Sequence, residues 1–418
     1  MRRRFWIGFL ALALTVGLAG AANAHAFLTR AVPAPNAALT QPPEEVRLEF
    51  TEEVETQFGA VSVYNAVGAR VDRGDAGLDP HDPTVVVAGL KPLPAGAYTV
   101  AWHVISADGH PVGGAFGFQV GPASPNAVYY QPGRAESGAP PLVVLFSYWL
   151  SVGGLLALMG LGVTQGAVAR AAPGQRYRWT VAAALVSAFA GTALLLVGRT
   201  IQASGLSLWD VLTRSLWLQM LATQSGTVIA WRLGIVAVST VLLHFFWPRW
   251  WTSAVAGAAA LLTVAMGGHA VSLADPVTAV LLDWFHLLAA AVWAGGLLQF
   301  ALGLTAGGDV GALVRRFSPL AAVSVAVLAL TGLYPALARI PSWTALTGTG
   351  YGVALLVKLG LILPLLVLGG INLVVVGPRL QRGEPAQGWL RGVATAEAVL
   401  IALVLAAATV LTNTPPPR

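Results

Sequence analysis

Residues 121–163 read GPASPNAVYYQPGRAESGAPPLVVLFSYWLSVGGLLALMGLGV, and the composition of this stretch changes abruptly at residue 142. The first half is rich in Gly, Pro, Ser and Ala and has no periodicity, which is typical of a linker. The second half is an apolar run of about 20 residues, long enough to cross a bilayer as a helix. We therefore expect residues 122–141 to link two modules of different chemistry.

The module before the linker, residues 25–121, has the pattern of a small β-domain. Short β-branched or aromatic segments, separated by Gly, Pro and Asp turns, lie at 46–50, 60–64, 84–88, 96–103 and 115–120. Along residues 98–103 the side chains alternate between two faces, as a strand with one buried face requires. We expect an all-β sandwich or barrel of about 100 residues. Eleven acidic residues against five basic ones give it a negative balance that favours cations.

The module after the linker is a series of apolar helices. Hydrophobic residues make up 56% of the chain and charged residues only 10%, whereas a soluble domain carries roughly a quarter charged residues. The apolar runs predict an all-α polytopic membrane bundle over residues 142–412, with 413–418 as a tail. The eight expected crossings are 142–168, 179–199, 227–247, 252–270, 277–304, 318–338, 351–376 and 392–412. Residues 206–225 are less apolar and carry Asp210 and Arg214, so we interpret them as an interfacial or re-entrant helix.

The N-terminus has the features of an export signal. Residues 2–4 are three arginines, residues 5–20 are apolar, and Ala22-Asn23-Ala24 is a small-x-small cleavage site. Cleavage after Ala24 makes His25 the first residue of the mature chain; the alternative is an uncleaved membrane anchor. With the β-domain outside, most loop arginines fall on the inner side and few on the outer side, chiefly Arg199, Arg214 and Arg339. We therefore expect a multi-pass protein of the bacterial cytoplasmic membrane with the β-domain and the C-terminus on the periplasmic side.

The β-domain contains a candidate Cu(II) site. A mature His25 offers its free amine and its imidazole, which together chelate one ion. Asp108 and His110 are two residues apart, so an extended backbone would point both side chains the same way; Pro111 disfavours helical backbone at His110. Three nitrogens and one oxygen in a plane suit tetragonal Cu(II) better than tetrahedral zinc. The alternative is that the D-x-H pair is an ordinary polar pair on the surface.

Other ligand chemistries are restricted by composition. The chain has no cysteine, which excludes thiolate metal sites and disulfides. His81 in a Pro/Asp turn and His103 on a strand are interpreted as structural. The basic excess outside the β-domain reflects loop topology, so we expect no nucleic-acid partner.

The apolar helices contain polar residues that are candidates for a membrane copper path, because such residues are costly at membrane depth. Met266 and His269 are three apart in the fourth crossing, and Asp283 and His286 are three apart in the fifth, so each pair shares a helix face. Imidazole with thioether suits Cu(I), and imidazole with carboxylate suits Cu(II). Alternatively, Asp283 and His286 satisfy one another or hydrogen-bond across helices. Further buried polar residues line a path or anchor helix packing: Lys358, Asn372 and Glu397.

The β-domain resembles a known family. Residues 25–28 (HAFL), 48–52 (LEFTE) and 102–111 (WHVISADGHP) resemble the CopC family of exported copper-binding proteins. The resemblance implies an Ig-like or cupredoxin-like sandwich in which His25, Asp108 and His110 bind Cu(II). The methionines of the chain are Met1, Met159, Met220 and Met266. The β-domain therefore lacks the Met-rich Cu(I) loop of some family members, and we expect a Cu(II) site only.

The helical module resembles the CopD family of copper-transport membrane proteins. The resemblance is carried by residues 266–270 (MGGHA), 283–287 (DWFHL), 293–297 (WAGGL), 316–318 (RFS), 331–332 (TG) and 351–359. A CopC domain ahead of CopD resembles the YcnJ-type copper-uptake proteins. This implies import of copper for copper homeostasis, with copper ions, the lipid bilayer and periplasmic copper chaperones as partners.

Alternative functions remain open at this point. His269 and His286 on adjacent helices could ligate a haem in a membrane electron carrier, although they lie at different depths. A copper-tolerance or sensing protein without transport is a further alternative. An N-terminal histidine also occurs in copper oxygenases, but Asp108 would fill a copper position that oxygen needs, so we expect no enzyme. The sequence has no G-x-x-x-x-G-K-[ST] loop, which disfavours ATP-driven pumping.

Overall fold

The computed structural model describes residues 26–107, 109–131, 142–170, 174–245, 250–268, 275–306, 310–340, 342–376, 378–379, 382 and 387–414. Within these residues the chain forms two compact units. The first unit, here called the β-unit, contains residues 26–131 and 196–227; the second, the helical unit, contains the described residues of 142–195 and 228–414. The predicted export signal, His25, Asp108 and His269 lie outside the described residues.

The β-unit is built on two sheets that are antiparallel except for one short strand. Its strands are β1 (Leu28–Val32), β2 (Ala38–Leu39), β3 (Glu45–Phe50), β4 (Val54–Glu55), β5 (Val61–Asn65), β6 (Gly77–Asp79), β7 (Asp82–Gly89), β8 (Gly96–Ser106) and β9 (Pro111–Val120). One sheet has the order β1-β3-β7-β6; in the other, β8 pairs with β9 and, along its other edge, with β5 and β4, while the short β2 runs parallel to β9. The predicted all-β sandwich is confirmed.

The core of the sandwich follows from the alternation along its strands. On β3, Val46, Leu48 and Phe50 are buried, and the residues between them are exposed or half-buried. They pack against Phe118 of the opposite sheet in one apolar core. Each such side chain contributes roughly 1.5–3 kcal/mol on burial. Because this core fixes β8 and β9, it also fixes the turn that joins them.

The rest of the described chain is helical. The helices are α1 (Leu142–Thr164), α2 (Gln175–Ser204), α3 (Leu208–Thr213), α4 (Leu216–Leu221), α5 (Gln224–Phe245), α6 (Trp250–Met266), α7 (Pro276–Ala306), α8 (Val310–Arg339), α9 (Trp343–Gly348), α10 (Gly350–Ile371) and α11 (Gln387–Thr412). Two π-helical segments, Gln165–Ala169 and Asn372–Val376, continue α1 and α10. Among the described residues, seven helical segments are long and apolar enough to cross a membrane, and α6 is a shorter apolar helix. The predicted bundle of about eight apolar helices is confirmed.

Residues 206–225 differ from the single helix that we expected. They form the two short helices α3 and α4. Ser207 caps α3 by accepting a hydrogen bond from the backbone of Asp210, and Ser215 between the helices has a left-handed backbone with φ of 53°. A left-handed residue cannot continue a right-handed helix, so the chain breaks there.

Glycines allow α1 to approach its neighbours closely. A side chain on Gly160 would collide with the backbone of Ala291 and Gly295 on α7. In membranes, small residues at helix contacts let backbones pack tightly, where no hydrophobic driving force acts between helices. Helix α7 carries Asp283 and His286, so this contact holds the helix that bears one candidate site.

Candidate metal centres

The turn between β8 and β9 carries His110. The backbone carbonyl of His110 accepts hydrogen bonds from the N–H and the hydroxyl of Ser106, at 2.9 and 2.8 Å. Gly109 has φ of +80°, a left-handed conformation that glycine adopts without strain. The backbone therefore turns at Gly109, in contrast to the extended conformation that we expected immediately before His110. The tight turn buries the His110 side chain, which is only 4% exposed.

The imidazole of His110 faces an arginine from a different part of the β-unit. Its Nε2 lies 3.4 Å from Nη2 of Arg199, which is itself buried and also donates to Gln202. Because a guanidinium can only donate, Nε2 of a neutral His110 is the acceptor. A metal ion that uses the same lone pair must displace Arg199. We expected Arg199 in an outer loop, but it lies within α2, and no local pattern in the sequence links it to a residue 89 positions away.

A second contact joins the same end of the sandwich to the start of α5. Glu55 on β4 accepts a hydrogen bond through Oε1 from the backbone N–H of Gln224 at 2.6 Å, and its Oε2 has no hydrogen-bond partner among the described residues. Burial raises the pKa of the Glu55 carboxyl, and the hydrogen bond from Gln224 opposes this shift. A side chain on Gly109 would press against Ser225 at 2.6 Å. Both β4 and the His110 turn therefore lie against residues 224–225, which sequence reasoning missed.

The two other described histidines of the β-unit lie elsewhere. His103 lies on β8 opposite Gly113, and burial lowers the pKa of its imidazole. His81 follows a strand turn, exposed, where its backbone N–H donates to the Asp79 carboxylate at 3.0 Å. Their structural interpretation stays a prediction.

In the helical unit, His286 of α7 hydrogen-bonds across helices. Its Nδ1 lies 2.8 Å from the hydroxyl oxygen of Thr331 on α8. That hydroxyl donates its own proton to the carbonyl of Val327 at 2.7 Å, so it accepts from Nδ1–H of His286. The tautomer leaves the lone pair on Nε2 available, which is the arrangement of metal-binding histidines whose other nitrogen is held by a second residue.

A carboxylate and an ammonium complete this cluster. Asp283 lies one helical turn before His286, and Lys358 of α10 interacts electrostatically with both. The cluster of Asp283, His286, Thr331 and Lys358 therefore draws on three helices. The sequence indicated Lys358 as a separate buried polar residue, and Thr331 only within the family resemblance. Their convergence depends on how α7, α8 and α10 pack.

The other half of the expected membrane path is less complete. Met266 is the last residue of α6, and its side chain is 45% exposed. Near it, the buried Arg232 of α5 donates hydrogen bonds to the hydroxyl and the carbonyl of Thr263, at 2.9 and 3.0 Å. A fixed positive charge beside this end of α6 was not expected from the sequence. Within the described ranges, no three His, Asp or Glu side chains come together to hold a metal ion.

Comparison with known proteins matches both the β-unit and the helical unit to known families. Residues 28–121 match the family model of the CopC domain, 139–274 that of the copper resistance protein D-like N-terminal domain, and 311–411 that of copper resistance protein D. The chain is 29% identical to copper transport protein CutJ of Bacillus subtilis (strain 168), over 100% of this chain and 78% of that protein. It is 37% identical to protein YobA of Escherichia coli (strain K12), over 23% of this chain and 79% of that protein. The crystal structure of CopC from Methylosinus trichosporium OB3b matches with 27% identity over 26% of this chain and all of that chain, at a TM-score of 0.22.

A β-sandwich followed by apolar helices, both matched by copper-resistance family models over most of their length, defines a copper-handling membrane protein. More narrowly, the chain belongs to the copper-resistance family, with a CopC domain and CopD domains joined in one polypeptide. These families bind and transport copper. Membership of the CopC family supports copper ions as the ligand.

Proposed function

We propose that the chain captures Cu(II) outside the cytoplasmic membrane and passes copper to its helical domain for import. Residues 1–24 are the signal peptide, 25–121 the copper-capturing domain, 122–141 the linker and 142–412 the membrane domain. The β-domain and the C-terminal tail, 413–418, lie on the periplasmic side. The alternatives of an electron carrier and of a tolerance or sensing protein are outcomes of the tests below.

The capture site uses the amine and imidazole of His25 with Asp108 and His110. The observation that carries the proposal is the contact of His110 Nε2 with Arg199 at 3.4 Å. Arg199 lies on a helix apolar and long enough to cross a membrane, and it belongs to the same compact unit as His110. A copper ligand that exchanges partners with a residue of such a helix is well suited to hand its ion onward.

The receiving site uses Asp283 and His286, with Met266 and His269 nearer the outer end of the path. The hydrogen bond from His286 Nδ1 to Thr331 supports this role, because it fixes the tautomer that leaves Nε2 for a metal. An imidazole next to a carboxylate suits Cu(II), and an imidazole next to a thioether suits Cu(I). Transport is supported by the full-length similarity to a protein named for copper transport; inward direction is part of the proposal.

The test is copper accumulation in cells that express the wild type, His25→Ala, His286→Ala or His81→Ala. His81 is the matched control, since it is an exposed histidine of the same domain outside the proposed site. We expect lower copper in the His25 and His286 variants at equal membrane abundance, and unchanged copper in His81→Ala. Equal accumulation in all four strains favours a sensing or structural role. Higher accumulation in the site variants indicates export instead of import.

A further inference from the structure

Helix α11 carries a buried carboxyl group that is not part of the proposed copper sites. Glu397 is 3% exposed and lies within the apolar segment 392–412. Its hydrogen bond is to Nδ2 of Asn372, which donates to Oε1 at 3.1 Å. Among the described residues, no ion pair involves Glu397. An amide cannot balance a carboxylate charge, and an ionised carboxylate that leaves water without a counter-charge is strongly disfavoured.

The side-chain amide of Asn372, which hydrogen-bonds to Glu397, lacks one hydrogen bond of its own. Oδ1 of Asn372 is buried and has no hydrogen-bond partner within the described residues. An ionised carboxylate can only accept, so it cannot serve that oxygen. A carboxyl that carries a proton has an O–H donor, and an acid and an amide can each donate and accept in the same pair. One added proton would thus remove the buried charge and supply a donor of the kind that Oδ1 of Asn372 lacks.

The helical backbone changes its hydrogen-bonding pattern at Asn372. The α-helical part of α10 ends at Ile371, and the π-helical segment begins at Asn372. Single π-helical turns are rare and often occur at functional sites. Asn372 lies fourteen residues beyond Lys358 on the same helix, which is about 20 Å at 1.5 Å per residue. The Glu397–Asn372 pair is therefore separate from the Asp283–His286 cluster.

We propose that Glu397 and Asn372 form a proton-binding site that couples copper movement to proton movement. The coupling part rests on the proposed function; the proton-binding part does not. The neutral acid is the resting form. When its O–H breaks heterolytically, the proton leaves to water and the carboxylate keeps the hydrogen bond from Asn372 Nδ2, while a copper cation moves the other way; the proton offsets one unit of the copper charge.

The neighbouring ionisable groups do not take over this role. The helices that pack against α11 carry the following titratable residues: Tyr148 on α1, Asp283 and His286 on α7, and Tyr351 and Lys358 on α10. Among the described residues, none of them forms an ion pair with Glu397.

Proton binding is tested with dicyclohexylcarbodiimide, which attacks protonated carboxyl groups in apolar surroundings, on the purified full chain at pH 7. Peptide mass spectrometry is expected to find Glu397 modified at least about tenfold more than the exposed Glu53. Modification should decline in alkaline buffer, be absent in Glu397→Gln and return at this position in Glu397→Asp. Absence of modification at Glu397 in the wild type overturns the site.

Coupling is tested with the full chain in liposomes that contain a pH-sensitive dye, with copper added outside. We expect copper entry into wild-type vesicles to raise the internal pH, because protons leave as copper enters, and to depend on the imposed pH gradient. In Glu397→Gln this dependence is lost, and in Glu397→Asp it is retained. Copper flux in Glu397→Gln with the wild-type pH dependence overturns the coupling. If wild-type vesicles move no copper while Glu397 is still modified, the proposed function and the coupling fail together and the proton site stands.

Discussion

The β-unit and the helical unit hold their key histidines in opposite ways. In the β-unit, Nε2 of His110 faces the guanidinium of Arg199 at 3.4 Å. In the helical unit, Nδ1 of His286 donates to Thr331 at 2.8 Å, and its other nitrogen keeps a lone pair. An arginine competes with a metal for the imidazole lone pair, whereas a threonine that accepts from the imidazole prepares it for a metal. The difference teaches that the partner of an imidazole, a donor at His110 and an acceptor at His286, decides whether the contacted nitrogen carries a lone pair or a proton.

The charges beside the two histidines fit this contrast. Arg199 is a permanent cation, so a metal ion at His110 would compete with a donor already in place. At His286 the carboxylate of Asp283 lies one turn away, and the ammonium of Lys358 interacts with both residues. Under the proposed function, copper passes from His110 toward His286. The following predictions test the contrast, in order of decreasing effect.

The largest effect is expected from adding one glycine ahead of His25 in the mature chain. The addition removes the free amine from the chelate ring, so Cu(II) affinity should fall by about 100-fold or more, about 2.7 kcal/mol. Affinity is measured by competition with a chelator of known strength. The control carries the same glycine within the linker, residues 122–141. Equal affinity of the two variants would show that the terminal amine is not a ligand.

The second prediction concerns Thr331, the hydrogen-bond partner of His286. Thr331→Val removes the acceptor of Nδ1–H and should lower copper uptake by about tenfold, as expected for a residue that orients a metal-binding histidine. Thr331→Ser keeps the hydroxyl and should retain most of the uptake. Uptake is followed by elemental analysis of washed cells. If valine and serine variants behave alike, the hydroxyl does not prepare His286.

The third prediction concerns the arginine that competes for His110. Arg199→Ala should raise Cu(II) affinity of the capture site by about threefold, the size of one ordinary hydrogen bond. The matched control is Arg214→Ala, which removes an exposed arginine paired with Asp210 in the same unit. Both variants are compared with the wild type by the same chelator competition. A loss of affinity in Arg199→Ala alone would mean that the arginine supports the site instead of competing with copper.

The smallest effect is a change in the pH dependence of stability. Because burial raises the folded-state pKa of Glu55 above its ordinary value of 4.5, the folded protein holds this proton more tightly than the unfolded chain does. The stabilisation that results is greatest when the pH is below that ordinary value, and it is lost as pH rises through the raised folded pKa. Glu55→Gln has no such carboxyl and lacks this loss. The Tm of the variant minus the Tm of the wild type should therefore increase, by a few degrees at most, as pH rises from 4.5 to 7.5.

Thermal unfolding of the wild type, Glu55→Gln and the exposed control Glu53→Gln measures this difference. A Glu55→Gln Tm that runs parallel to the wild type across the pH range would contradict a buried carboxyl at this position.

Much of the fold could be predicted because it depends on local patterns. The alternation on β3 and the apolar runs behind each long helix are visible in the sequence without knowledge of any partner. Strand ends were less accurate: the second half of the β8–β9 hairpin was expected from residue 115, but β9 begins at Pro111. Gly113 and Gly114 resemble turn residues, yet they continue the strand. The ring of Trp102 lies over Gly114, where a side chain would collide with it.

The candidate sites likewise have features that could be predicted from the sequence and features that only the tertiary structure decided. The sequence itself contains the candidate copper ligands and their spacing, and it predicts the helix that carries Asp283 with His286. The partners of the two histidines, Arg199 and Thr331, are 89 and 45 residues away from them. Hydrophobic periodicity determines which face of a segment is buried but not which distant polar group meets it there. Only the packing of strands and helices decided which nitrogen of each imidazole is occupied, because a hydrogen bond requires two groups to lie within about 3 Å.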